Sequence, residues 1–350
     1  MTYLKNAWYC AGWSTDLDGT QITKTFLGEP VLMYRRGDGT PVALSNRCPH
    51  RFAPMHKGKL KGDLIECPYH GLQFAHDGAC VLNPHGDGSI PRAAKLKAYP
   101  LVEHQGTLWI WMGDADKADK TQIVDTLFLT QKDRYASRSG YLKVDVNYEL
   151  FIDNLLDLTH APYLHAETLS CEPEDTIGRD KMEVEFLQGE RDVESNYLVR
   201  GMPATPQMAP FWGEKAPGDF RALMHWHAPS TLVLEVSLTE SGAPKEDGIV
   251  FPVLHFLTPE TETTTHYFFA IGHNQEIDNA DKTRHVVAQA QRAFEVEDEP
   301  MVKDCQDLMG TTDLFSLNPV LLQTDVSAVR ARRVLDALIK AEQSTLVKVA

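Results

Sequence analysis

The first third of the chain alternates short apolar runs with turn residues. Val31-Leu32-Met33-Tyr34, Val42-Ala43-Leu44, Leu64-Ile65-Glu66, Gln73-Phe74-Ala75 and Thr107-Leu108-Trp109-Ile110-Trp111 are the runs, and Arg36-Gly37-Asp38-Gly39 is one of the turns. Runs this short, rich in β-branched and aromatic residues and punctuated by Gly and Asp, predict an antiparallel all-β domain. The stretch 113–120 is polar and without period, which predicts a linker. Beyond about residue 135 the pattern mixes. A helical period covers 148–158, alternating strands follow at 232–236 and 265–270, and two helical segments near 282–308 and 327–343 close the chain. The expected class is α+β: an all-β domain over 1–115, a linker over 116–134 and a mixed domain over 135–350.

Composition narrows the function classes. With 43% hydrophobic and 24% charged residues the chain is ordinary for a globular protein, and its net charge of −15 argues against nucleic acid as a partner. Arg47, Arg51, Lys57, Lys59 and Lys61 form a local basic island suited to an acidic electron donor. No run approaches the roughly 20 apolar residues of a membrane span. The N-terminus lacks the apolar core of a secretion signal, so the expected location is cytoplasmic, with no membrane partner. Cys10, Cys80, Cys171 and Cys305 show no pairing pattern.

The other two cysteines carry chemistry. Cys48-Pro49-His50 is followed, after sixteen residues, by Cys67-Pro68-Tyr69-His70. Each clip mixes a thiol with an imidazole. One iron can take both thiolates and a second both imidazoles, the Rieske form of a [2Fe–2S] cluster, whose neutral imidazoles raise its potential. Tetrahedral zinc accepts the same donor types, but its clips usually pair like with like at wider spacing. The pattern predicts an electron-handling protein.

A second constellation lies at 153–165. Asp153, Asp157 and His160 fall within roughly 60° of one helix face, with Asn154 beside them. His165 would point away on a straight helix, and Pro162 is expected to break the helix and return it. Two imidazoles and one carboxylate make the facial triad of non-haem Fe(II) oxygenases, which leaves neighbouring coordination positions open. Glu295, Glu297, Asp298 and Glu299 are the candidate carboxylates, and spacing does not choose among them. Phe211, Trp212 and Trp226 are candidates to wall a flat ring. His225, His227 and His255 are candidates to meet a carboxylate or phenol.

Together, Asn6-Ala7-Trp8-Tyr9, Cys48-Pro49-His50-Arg51-Phe52-Ala53-Pro54, Cys67-Pro68-Tyr69-His70-Gly71-Leu72, Asp153-Asn154-Leu155-Leu156-Asp157-Leu158-Thr159-His160, Leu257-Thr258-Pro259-Glu260-Thr261 and Glu297-Asp298 resemble the oxygenase components of Rieske non-haem iron aromatic oxygenases. Within these the likeness is to the vanillate and dicamba O-demethylase group. The resemblance implies a helix-grip-like catalytic domain, an antiparallel sheet covered by helices. It implies that Cys48, His50, Cys67 and His70 bind the cluster and that His160, His165 and Asp298 bind Fe(II). It gives Asp157 a bridging role between subunits of a homotrimer, hydrogen-bonded to one subunit's Rieske histidine and the next subunit's iron-ligand histidine. Asn154 is placed near the iron and His255 in the substrate pocket. The implied reaction converts a methoxylated, vanillate-like aromatic acid to a phenol and formaldehyde, using O2 and electrons from NAD(P)H passed through a separate reductase or ferredoxin. Hydroxylation of a benzylic methyl group, or electron carriage without catalysis, are the alternatives.

Overall fold

A computed structural model describes residues 3–19, 21–173 and 181–349. Its contacts divide the chain into two units. The first holds Tyr3–Ile123 together with Pro259–Thr261, and the second holds Val124–Thr258 and Glu262 onward. The grouping of Pro259–Thr261 with the first unit departs from the contiguous division read from the sequence.

The first unit is all-β. Strands β1 (Trp8–Trp13), β2 (Ile22–Phe26), β3 (Glu29–Arg35), β4 (Pro41–Ser45), β5 (Lys59–Lys61), β6 (Leu64–Glu66), β7 (Gln73–Phe74), β8 (Cys80–Leu82), β9 (Ala98–Tyr99), β10 (Leu101–His104) and β11 (Thr107–Trp111) form three antiparallel sheets, ordered β1-β11-β10, β2-β3-β4-β9 and β5-β6-β7-β8. Alternate residues of β3 and β4, Leu32, Tyr34, Val42 and Leu44, meet Ile65 and Phe74 in one core. Cys48 and Cys67 belong to that same core, so the two loops that carry them are rooted in packed side chains.

The second unit is built on seven antiparallel strands: β12 (Ala136–Val144), β13 (Met182–Gln188), β14 (Asp192–Met202), β15 (Gly218–His227), β16 (Thr231–Thr239), β17 (Ile249–Pro259) and β18 (Thr265–His273), in the order β12-β18-β17-β16-β15-β14-β13. β17 and β18 are buried at every position, whereas β13 at the edge is mostly solvated. Helices supply the cover: α1 (Tyr148–Leu156), α2 (Ala161–Leu164), α3 (Ala209–Trp212), α4 (Ala280–Arg292), α5 (Glu299–Met309) and α6 (Val326–Val349). α4 packs on β18 and β12, and α6 on β14, β13 and α1. Between α4 and α5 the six residues Ala293–Asp298 form a π-helix, a wider turn with i→i+5 hydrogen bonding. Among the described residues no helix is long and apolar enough to cross a membrane.

Candidate active site

In the first unit, the two Cys/His clips occupy loops of matching build. Cys48 N–H donates to Ala53 O and Phe52 N–H to Cys48 O, both at 2.9 Å. In the second loop Cys67 N–H donates to Leu72 O at 2.8 Å and Gly71 N–H to Cys67 O at 3.1 Å. Each loop closes on a residue with positive φ, Phe52 at 58° and Gly71 at 70°. Glycine adopts this conformation freely; at Phe52 it costs about 1–2 kcal/mol. The Phe52 ring stacks under the Arg47 guanidinium at 4.1 Å.

The thiols point inward and the imidazoles outward. Cys48 and Cys67 are buried, His50 is exposed and His70 half-buried, and the two imidazole centroids lie 4.4 Å apart. Burial first, and the adjacent Cys67 thiol after it, push the Cys48 thiol up to about 11. Two sheltered sulfurs that ionise only with a cationic partner, beside two solvent-facing imidazoles, fit a cluster whose inner iron takes thiolates and outer iron neutral rings. The five basic residues expected around these loops are all exposed.

In the second unit, α1 ends earlier than the helical period suggested. Asp157 has φ −106° and ψ 89°, outside the helix, and its Oδ1 accepts from Thr159 N–H at 3.0 Å to start a 3₁₀ turn over Leu158–His160. The single metal-bearing face expected for Asp153, Asp157 and His160 is therefore not formed. Asp153 turns to Arg332 instead, with contacts of 2.7–2.9 Å, and Arg332 Nη1 also donates to Glu149 at 3.0 Å. Pro162 does not break a helix either. It sits in the first turn of α2, where its missing N–H costs nothing, and the break at Asp157 redirects the chain.

That redirection brings His160, His165 and Asp298 together, with one ligand atom from each lying within 4.8 Å of the others. His160 Nε2 and His165 Nε2 stand 3.2 Å apart, and Asp298 Oδ1 lies 3.0 Å from the second and 3.5 Å from the first. The far side of each ring is occupied. His160 Nδ1 lies 2.5 Å from Asp157 O and His165 Nδ1 lies 2.7 Å from Glu297 Oε2. An Nδ1–H donated to each oxygen leaves both Nε2 lone pairs directed at the Asp298 carboxylate, the donor set of a facial site. Asp157 thus meets His160 through its main-chain carbonyl within the chain, not through its carboxylate. Asn154 Nδ2 donates to Asp298 Oδ1 at 3.1 Å.

Electrostatics follow from burial and charge. Burial disfavours the charged form of Asp298, yet hydrogen bonds from His160 and His165 hold its carboxyl well below the usual range. For His165, burial works against protonation, but the Asp298 and Glu297 carboxylates outweigh it and raise its pKa. Glu297 was one of four carboxylates the sequence left open. The π-turn over Ala293–Asp298 explains how consecutive residues reach opposite nitrogens of one imidazole, a relation that helical periodicity does not reveal.

The cluster opens on a cavity with about 950 Å³ of free space, counting its mouth. One face of the sheet makes its wall in steps of two, through Tyr197 and Val199, Ala222 and Met224, Leu234 and Val236, and Val253 and His255. Of the expected pocket residues only His255 lines it. Phe211 packs instead on Phe251 and His273, with centroids 5.5 and 5.1 Å away. Trp212 donates its indole N–H to Ala216 O at 3.1 Å. His227 stacks on His225 at 3.8 Å, and burial, then that neighbour, lower it to about 4. Polarity and aromatic content marked these residues, but short-range partners already occupy them.

Two family profiles match the chain, the Rieske [2Fe–2S] domain over residues 7–100 and the vanillate O-demethylase oxygenase C-terminal domain over 144–341. The chain is 35% identical to the oxygenase component of dicamba O-demethylase from Stenotrophomonas maltophilia, over 98% of this chain and 99% of that one. It is 36% identical to the oxygenase component of chloroacetanilide N-alkylformylase from Rhizorhabdus wittichii, over 97% of each. The crystal structure of dicamba monooxygenase bound to dicamba superposes with a TM-score of 0.87 at 33% identity, over 98% of this chain and all of that one.

Fold and matches together define an oxygenase, an oxidoreductase with an N-terminal Rieske domain. The chain belongs to the Rieske non-haem iron oxygenases, as an oxygenase component of the vanillate O-demethylase type. Oxygenase components of this kind work with O2 and a separate reductase or ferredoxin.

Proposed function

We propose that this protein removes the methyl group of a methoxylated aromatic compound, giving a phenol and formaldehyde. The balanced conversion takes the aryl methyl ether, O2, two electrons and two protons to phenol, formaldehyde and water. NAD(P)H supplies the electrons through the partner reductase. His160, His165 and Asp298 hold Fe(II), which when bound supplies the capacity to activate O2. Cys48, His50, Cys67 and His70 hold the cluster that delivers electrons. The observation that carries this reading is the convergence of two imidazoles and one carboxylate at a cavity of aromatic-substrate size.

The chain's own groups have separable roles. Asp157 O and Glu297 keep the two imidazoles in the tautomer that presents Nε2, and Asn154 holds the Asp298 carboxylate in place. Leu155, Leu158 and Phe294 on the wall exclude water from the reacting methyl group. The Asp157 carboxylate serves as the bridge between subunits of a homotrimer, and the protein works in the cytoplasm. Vanillate-type acids and their neutral analogues form the substrate panel.

The test is formaldehyde release from methoxyaryl compounds with a surrogate reductase. Asp298→Ala should abolish release and keep the Rieske absorbance. Oxidised product without formaldehyde would favour hydroxylation of a benzylic methyl group. Iron content no higher than the cluster accounts for would overturn the proposal.

A further inference from the structure

Apart from Asp298 at the metal cluster, the described side chains on the cavity wall carry no formal charge at neutral pH, and no lysine or arginine is among them. Burial pushes the His255 pKa down to about 3, so this ring also stays neutral near pH 7. A carboxylate entering the cavity would lose its water and find no cation among the described residues, the costliest form of burial.

His255 shows what the cavity offers instead. Its Nδ1 lies 2.7 Å from the Tyr267 hydroxyl, and its Nε2 is buried without a hydrogen-bond partner. Both residues are almost wholly buried, at 1% exposure for His255 and 0% for Tyr267. The phenol has one proton to place. If Tyr267 donates to Nδ1, that proton is satisfied and Nε2 carries the ring's hydrogen; the reverse arrangement strands the phenol proton in a dry site. The Nε2–H is then a single unspent donor on an apolar wall. A buried donor of this kind discriminates sharply, because a substrate without a matching acceptor leaves it unpaired.

We propose that the cavity selects a neutral aromatic substrate whose one polar group, an uncharged oxygen acceptor such as an amide or ketone carbonyl, is held by His255 Nε2–H, and that it rejects the matching carboxylate. This rests on the proposed demethylation for its choice of probes. Specificity lies in the difference between a satisfied donor and a desolvated anion.

The probes are 3-methoxybenzamide and 3-methoxybenzoate, which differ in charge at nearly constant shape. Calorimetric titration of the anaerobic, iron-loaded protein gives each Kd, and formaldehyde release gives each kcat/KM. The amide should bind at least tenfold more tightly than the acid. His255→Leu should remove most of that preference by weakening amide binding. His255→Gln, which retains an N–H donor, should keep part of it and guards against a misfolded leucine variant. Equal binding, tighter binding of the acid, or no binding of the amide overturns the inference. Amide binding without formaldehyde would fault the demethylation and leave the inference standing, while formaldehyde chiefly from the acid would do the reverse.

Discussion

Glu297 Oε2 stands 2.7 Å from His165 Nδ1, and the following residue, Asp298, places Oδ1 3.0 Å from Nε2 of the same ring. One imidazole is therefore held from both sides by consecutive carboxylates. Thr168 Oγ1 donates to the same Glu297 oxygen at 2.7 Å, which fixes the carboxylate as well as the ring.

Glu297→Gln tests that grip. An amide can mimic the shape but pulls less strongly on the Nδ1–H, so the basicity of Nε2 falls. Fe(II) affinity of the second unit should drop about 10–100-fold, while the Rieske absorbance stays unchanged. Metal titration of iron-depleted protein measures it, and unchanged affinity would contradict the orientation argument.

Arg332 is the counterpart for α1. It neutralises Asp153 and Glu149, both largely buried, and all three side chains are less than a fifth exposed. Burial acts first to raise the Asp153 pKa and Arg332 acts against it. Arg332→Met leaves two carboxyls without a cation and should destabilise the protein by about 3–5 kcal/mol. Adding Asp153→Asn should recover part of the loss, and thermal unfolding of the single and double variants separates the cases.

Asp157→Asn should retain both iron signals and lose product formation, since its main-chain contact to His160 survives while its ionised carboxylate does not. The amide oxygen can still accept from Thr159, so the turn at Leu158–His160 should persist. Normal turnover by this variant would remove the carboxylate from electron delivery.

His255 also predicts a pH dependence. Burial lowers its folded pKa to about 3, below the ordinary histidine value. Between those values the unfolded chain binds a proton the folded one does not, so this group makes stability rise with pH there and fall on acidification. His255→Gln should flatten the slope by up to about 1.4 kcal/mol per pH unit between roughly pH 4 and 6. Denaturation series at several pH values on both proteins read it out.

The sequence carried the fold well where period and punctuation are local. The short runs around Leu32 and Leu44 become strands of the first unit, and the segment 282–308 becomes one continuous helical stretch interrupted by the π-turn. Cys48, His50, Cys67 and His70 stood out because four ligand types crowd two short loops. What the sequence did not disclose depends on partners distant along the chain. Asp153 looked like a ligand because its cation, Arg332, is 179 residues away. Phe211 and Trp212 looked like pocket walls because nothing local shows that Phe251, His273 and the Ala216 carbonyl already engage them. Pro162 was read as a helix breaker because the termination of α1 at Asp157, which makes it a helix start, is set by a side-chain cap.

The widened turn at Ala293–Asp298 holds one residue more than an α-helix would need to span the same axial distance. Deleting a single residue there would restore ordinary winding and turn everything after it by roughly 100° about the helix axis. Val302 and Gln306, buried on α5, would swing toward solvent, and Gln306 would release the Asn147 N–H it accepts from at the start of α1. The number of residues in this segment is thus itself under constraint: shortening it by one would unseat the metal carboxylate and the opening of α1 together.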